Sequence, residues 1–285
     1  IDAGSIEETM SIIAELEKVT DTAFTEQAAR NSIMPIGFKV IRLMHESEKN
    51  ELIKLVQYLA HLCKKHVEKN IKTCIQLYIE AARTLDHLGI GVESTELAVI
   101  AIKEFYPSLV SSYSINQQFS MLLYLIHFVV SSQNIDFSEI NGVLCTYVSS
   151  FSTIKNEIGD SLYLLITKLF INCANLFWRP DQRLREAKHV QSCLANACKA
   201  AADCTDISIS VESLYLILNW TAYFLEDNCE INMKWVRALI SLINKKHRNI
   251  KQSGRSMNEV LPMNIRLFYT NTVANIEAKQ LIENA

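Results

Sequence analysis

Apolar residues recur at the helical period along most of this chain. Val211, Leu214, Tyr215, Leu218, Ala222 and Leu225 fall at i, i+3, i+4, i+7, i+11 and i+14 of one stripe. Phe119, Leu122, Leu123, Ile126 and Val130 repeat the pattern, as do Ile265, Phe268, Tyr269, Thr272 and Ile276. Read through, the pattern predicts helices over 5–18, 22–31, 35–46, 50–66, 69–87, 94–111, 115–132, 136–150, 155–177, 182–204, 207–226, 231–247 and 262–282. Start signals support these edges. Ser114 with Gln117, Asp136 with Glu139 and Ser256 with Glu259 have capping-box spacing, and Pro35 and Pro262 suit first helical turns. Gly89, Gly91, Gly142 and Gly254 stand in or beside the gaps. Every link is short except 248–261, a polar stretch expected to be a mobile loop.

The run from Ser161 to Trp178 holds one charge, Lys168, and its apolar residues cover nearly the whole helix circumference. Its length is at the lower limit for a membrane span. Thr167, Lys168, Asn172 and Asn175 interrupt it, however, and comparable helices flank it on both sides. It reads as a helix sandwiched between helices. Long helices on short links pack antiparallel, and pairs of about 40 residues match HEAT-type units, of which about seven would fit. No internal repeat is legible, so a compact helical bundle stands beside the solenoid as an alternative.

Composition narrows the class further. With 7 Gly and 4 Pro in 285 residues, the chain lacks the turns of an all-β protein, while 49% hydrophobic residues supply a sizeable core. A net charge of −3 argues against nucleic acid as the main partner. Cys74, Cys173 and Cys198 fall on apolar stripes, so the eight cysteines are expected to be reduced thiols rather than a disulfide framework. The chain opens at Ile1 with no basic n-region or secretory h-region, and is expected to be a fragment of a longer protein.

Candidate chemistry is sparse. His61 and His66 flank Cys63, but i and i+5 lie about 140° apart on a helix and share no metal-binding face. Cys193, Cys198 and Cys204 match no zinc spacing. Glu226–Glu230 lacks the central Gly of an EF-hand loop and reads as a solvated turn. Lys245, Lys246, His247, Arg248 and Lys251 form the one basic cluster; it fits acidic lipid or phosphate, or simply the macrodipole preference of a helix's last turn. Trp178, Trp220 and Trp235 are candidates for core or interface positions. No phosphate loop, nucleophile elbow or His-Glu-x-x-His motif occurs, so no catalytic residue, cofactor or metal site is expected.

Three stretches carry a family resemblance. Asn172-Cys-Ala-Asn-Leu-Phe-Trp178, Lys188-His-Val-Gln-Ser-Cys-Leu194 and Leu214-Tyr-Leu-Ile-Leu-Asn-Trp-Thr-Ala-Tyr-Phe224 resemble the C-terminal half of the retromer large subunit, the vacuolar protein sorting-associated protein 35 family. Tyr269–Thr272 is similar to that family's His-Asn-Thr segment, and Leu77–Gly91 followed by Glu93–Glu96 to an earlier helix, turn and acidic start. The similarity runs from about residue 30 to about residue 280, leaving 1–30 a poorly matched edge; Asn175 stands where a His is usual, and the loop after Trp178 is short.

The resemblance implies an all-α fold, a single right-handed α-solenoid of HEAT-like antiparallel helix pairs over 1–285. It also implies a non-enzymatic scaffold of the endosomal retromer coat, cytoplasmic and peripheral on the membrane, which returns cargo receptors to the Golgi or plasma membrane. The implied direct partner is the small retromer subunit of metallophosphoesterase-like fold (the vacuolar protein sorting-associated protein 29 family), held in a concave groove. Other subunits would join through a missing N-terminal half, with self-association at the coat's arch. By alternation, the groove helices are 69–87, 115–132, 155–177, 207–226 and 262–282. Gln118, Tyr124, Asn219, Tyr223, Arg266 and Asn271 interrupt or flank their apolar stripes and are the expected partner-binding residues. Competing readings are another helical-repeat trafficking adaptor, and a helical enzyme needing clustered carboxylates or a cofactor cavity.

Overall fold

The computed structural model describes residues 11, 37–38, 40–41, 49–136, 138–151, 159–179 and 184–279. The expected helices at 5–18 and 22–31, and Pro35 at the head of 35–46, fall almost wholly outside them. The described residues are all-α and divide into two compact units, Ile1–Val143 and Leu144–Ala285.

In the first unit, α1 (Lys49–His87) is a long helix broken at Asn70, whose backbone leaves the helical region (φ −137°, ψ 37°). The pattern predicts two helices there, and the break falls near the expected gap. A glycine in the left-handed region, Gly89 (φ 73°), ends α1, with Ile90 N–H bonded to Leu85 C=O and Gly89 N–H to Asp86 C=O. A second helical run follows from Gly91 to Ser112: α2 (Gly91–Val99), a wide π-turn over Ile100–Phe105, and α3 (Tyr106–Ser112). The expected helix at 94–111 is therefore one body with a widened middle. Pro107 explains the widening, because its ring displaces the carbonyl one turn earlier and it has no N–H to donate. Helix α4 (Ile115–Ser131) starts with the predicted Ser114–Gln117 capping box.

Helices α1 and α4 are parallel neighbours. Tyr124 Oη donates to Glu80 Oε1 at 2.6 Å, and near the C-terminal ends Asp86 accepts from Gln133 N–H (2.8 Å) and Asn134 N–H (2.6 Å). Gly91 is required at this junction, because a Cβ there would lie 2.3 Å from the Asn134 carbonyl oxygen.

The expected start at 136 is overturned: α5 spans Asn141–Phe151. Asp136 accepts from Ser138 N–H in a local turn, while Glu139 pairs with Lys103 at 2.8 Å, so neither caps a helix. The second unit then contains α6 (Asp160–Phe177), α7 (Ala187–Asp203), α8 (Ile207–Glu226), α9 (Met233–Gln252), the single turn α10 (Met257–Val260) and α11 (Met263–Ala278). The capping box at Ser256–Glu259 opens α10. Residues 248–252, expected as loop, continue α9. Ile250 extends the stripe of Val236, Leu239 and Ile243, and its burial holds the added turn in place.

Two layers alternate in this unit. Helix α6 packs on α8 and α8 on α11, with α7 and α9 as the intervening helices. Contacts between Tyr215 and Tyr269, Asn219 and Thr272, and Glu226 and Lys279 advance together, so α8 and α11 run parallel. In each unit the helices that alternation assigns to one face are layer neighbours. The apolar run in α6 is buried as expected, with Thr167, Ala174 and Leu176 fully enclosed.

Candidate functional site

The six expected partner-binding residues divide by exposure. On α4, Gln118 donates through Nε2 to the carbonyls of Val110 (2.9 Å) and Tyr113 (2.7 Å), clasping the end of α3. Tyr124 is half-buried between Glu80 and Arg83, and burial pushes its phenol well above the usual value. On α8, Asn219 Oδ1 accepts from Thr272 Oγ1 at 3.1 Å. Arg266 of α11 donates to Asn258 Oδ1 and to Leu261 C=O, tying α10 down. These four are bonded within the fold. Tyr223 and Asn271 are exposed, the tyrosine by 40%. The Tyr223 ring stands edge-on to Trp220 (centroids 5.3 Å apart) and to Phe224 (5.5 Å), so this exposed aromatic is held by its own helix.

The acidic stretch at Glu226 is a junction, not the solvated turn expected. Glu226 binds Lys279 (2.7 Å) and Asn275 (2.6 Å) of α11. Asp227 takes Arg185 Nη1 at 2.6 Å and Trp178 Nε1 at 2.8 Å, with the Arg185 guanidinium 4.5 Å above the indole. These bonds, the Arg185 one foremost, hold the Asp227 carboxyl below its usual range. Asn228, in the left-handed region at φ 62°, closes α8 in the way Gly89 closes α1. Trp178 is thus core, and its indole N–H reports the partner that sequence reading missed.

A second linkage joins α8, α9 and α11. His247 Nε2 lies 2.6 Å from Tyr215 Oη, whose ring stacks on Tyr269 with centroids 4.1 Å apart. Burial, and then the charge of Lys251, depress the His247 pKa from 6.5. The unfolded chain binds this proton more readily than the native one. The contribution is therefore present above pH 6.5 and lost as pH falls through the depressed folded value. Urea midpoints measured from about pH 7 to about pH 5 should decline less steeply in His247→Gln than in the wild type. Equal slopes would remove His247 from the linkage.

The basic cluster extends further than the sequence segment suggested. Lys234, Arg237, Lys245, Arg248 and Lys251 are all exposed on α9, opposite its buried stripe, and α9 carries no acidic residue. His61 is exposed and Cys63 buried; the side chain of His66 lies outside the described residues. All eight cysteines are free thiols, with Cys145 and Cys198 half-buried and the rest buried. Among the described residues no group of three His, Cys, Asp or Glu side chains is arranged to hold a metal ion, and no helix is long and apolar enough to cross a membrane.

The family model for vacuolar protein sorting-associated protein 35 matches residues 4–246. The chain belongs to that family. Vacuolar protein sorting-associated protein 35 is a non-enzymatic retromer subunit, so membership implies a retromer role and sets aside both the helical enzyme and the unrelated adaptor. The match takes in residues 4–30, which the resemblance left out, and ends before Tyr269–Thr272. Among solved structures, a chain from "Computational Design of Self-Assembling Cyclic Protein Homooligomers" aligns over 97% of this chain and 93% of its own, at 13% identity and a TM-score of 0.20.

Proposed function

We propose that this chain is the retromer scaffold that holds the small, metallophosphoesterase-like subunit. In this reading it acts at the endosomal membrane as part of the coat, supporting retrieval of cargo receptors. The docking face is the layer formed by α6, α8 and α11, and the exposed, helix-braced Tyr223 is the observation that carries the reading. A rigid aromatic at the surface gives up little side-chain freedom on binding and is a favoured interface anchor. Asn271, exposed on α11, supplies a polar contact of the same layer. Gln118, Tyr124, Asn219 and Arg266 contribute by setting the helices on which such contacts stand.

The test is a calorimetric titration of the small subunit against Tyr223→Ala and Asn271→Ala, with thermal melts as the folding control. Tyr223→Ala should weaken binding by at least about 2 kcal/mol, roughly thirtyfold, with its melt close to wild type. Wild-type affinity in both variants, with loss of binding on changing exposed residues of α9, would assign docking to the opposite layer.

A further inference from the structure

Three thiols and one imidazole converge on a cavity of about 100 Å³ in the second unit. Cys145 comes from α5, Cys173 from α6, and Cys193 and His189 from α7. Cys145 is half-buried at the cavity, whereas Cys173 and Cys193 are buried, at 1% and 8% exposure. His189 is exposed, pairs with Glu186 at 2.7 Å and stacks on Phe177 with centroids 4.7 Å apart. This cluster takes no part in the docking reading above. Its makeup bears on covalent chemistry: one half-buried thiol, two buried thiols and an imidazole line the same cavity.

We propose that this cavity is a thiol-modification site in which Cys145 is the nucleophile toward small electrophiles and peroxides. A thiolate is a far better nucleophile than a thiol, so local stabilisation of the anion decides which cysteine reacts first. The neighbouring thiols of Cys173 and then Cys193 favour the Cys145 anion and hold its thiol below the ordinary value, against the opposing effect of burial, and the charge on His189 assists. Cys198 supplies the contrast. It is also half-buried, but burial alone pushes its thiol up to about 12.

With hydrogen peroxide, the Cys145 thiolate attacks one oxygen. An S–O bond forms, the O–O bond breaks, and hydroxide leaves and takes a proton to become water. The sulfur is oxidised by two electrons and the peroxide reduced by two, giving a sulfenic acid. A neighbouring thiol, Cys173 or Cys193, then attacks the sulfenic sulfur. The S–S bond forms as the S–O bond breaks, and water leaves with the thiol proton. The product ties α5 to α6 or to α7.

The experiment is competitive alkylation of the native chain with limiting iodoacetamide from pH 5.5 to 9, quantified by peptide mass spectrometry. Cys145 should label at least about tenfold faster than Cys198 at pH 7, with a rate profile displaced to lower pH. After mild peroxide treatment, unreduced peptide maps should join Cys145 to Cys173 or Cys193. In a chain with both Cys173→Ala and Cys193→Ala, the Cys145 profile should move back toward that of an ordinary thiol. Equal labelling of Cys145 and Cys198 in the wild-type chain would overturn the proposal, whether or not the double variant folds.

Discussion

Replacing Phe177 with alanine lowers the unfolding free energy by about 3–5 kcal/mol, the range for truncating a buried aromatic ring. Phe177 sits at the C-terminal end of α6 with 7% exposure, next to Trp178, also 7% exposed, and to fully buried Leu176. One side of its ring stacks on His189, 4.7 Å away, and it also lines the thiol cavity. That position decides where in the range the loss should fall. Some contacts a fully enclosed ring would make are already missing at the cavity, so truncation forfeits fewer of them and the loss should lie nearer 3 kcal/mol. Phe177→Leu keeps most of the volume and should cost less than half as much. Urea unfolding monitored by far-UV circular dichroism measures both. A loss below about 1 kcal/mol for the alanine variant would mean the ring is not part of the core.

What was legible in the sequence followed from local periodicity. The stripe on α8 and the capping box at Ser114 each lie within one helix, and both appear where the pattern puts them. Burial of the Ser161–Trp178 run was legible for the same reason: a helix apolar on every side must be surrounded. The misses share one physical origin. A helix end held by remote partners leaves no local mark, so Asp136 and Glu139 had cap spacing although their bonds go elsewhere, and α9 ran on because Ile250 is buried. The intramolecular bonds of the candidate binding residues were hidden for the same reason. Flanking an apolar stripe tells which side of a helix a residue occupies, but not whether a neighbouring helix has already claimed it. Asn219 is taken by Thr272 and Tyr124 by Glu80, across sequence separations of 53 and 44 residues. Trp178, Arg185 and Asp227 came to light only as a set, because the bond that defines them spans 49 residues.

Asp86→Ala should destabilise the first unit by about 2–4 kcal/mol, through lost bonds rather than lost volume. The carboxylate is 4% exposed and accepts two backbone N–H groups, from Gln133 at 2.8 Å and Asn134 at 2.6 Å, while its own carbonyl receives Asn134 Nδ2 at 2.7 Å. Charge-assisted bonds of this kind contribute more than neutral ones, and removing the acceptor leaves both donors without it. Gln133 and Asn134 are exposed, so water can reach part of the junction, which keeps the loss below the sum for two fully enclosed bonds. Asp86→Asn distinguishes charge from geometry. Its side chain offers one acceptor oxygen and turns an NH₂ toward the second donor, so it should recover only part of the loss. Hydrogen exchange supplies the local readout: the Gln133 and Asn134 amides should exchange faster in both variants, and most in alanine. Unchanged exchange at these amides, together with wild-type stability, would show that α1 and α4 are held by their other contacts and not by Asp86.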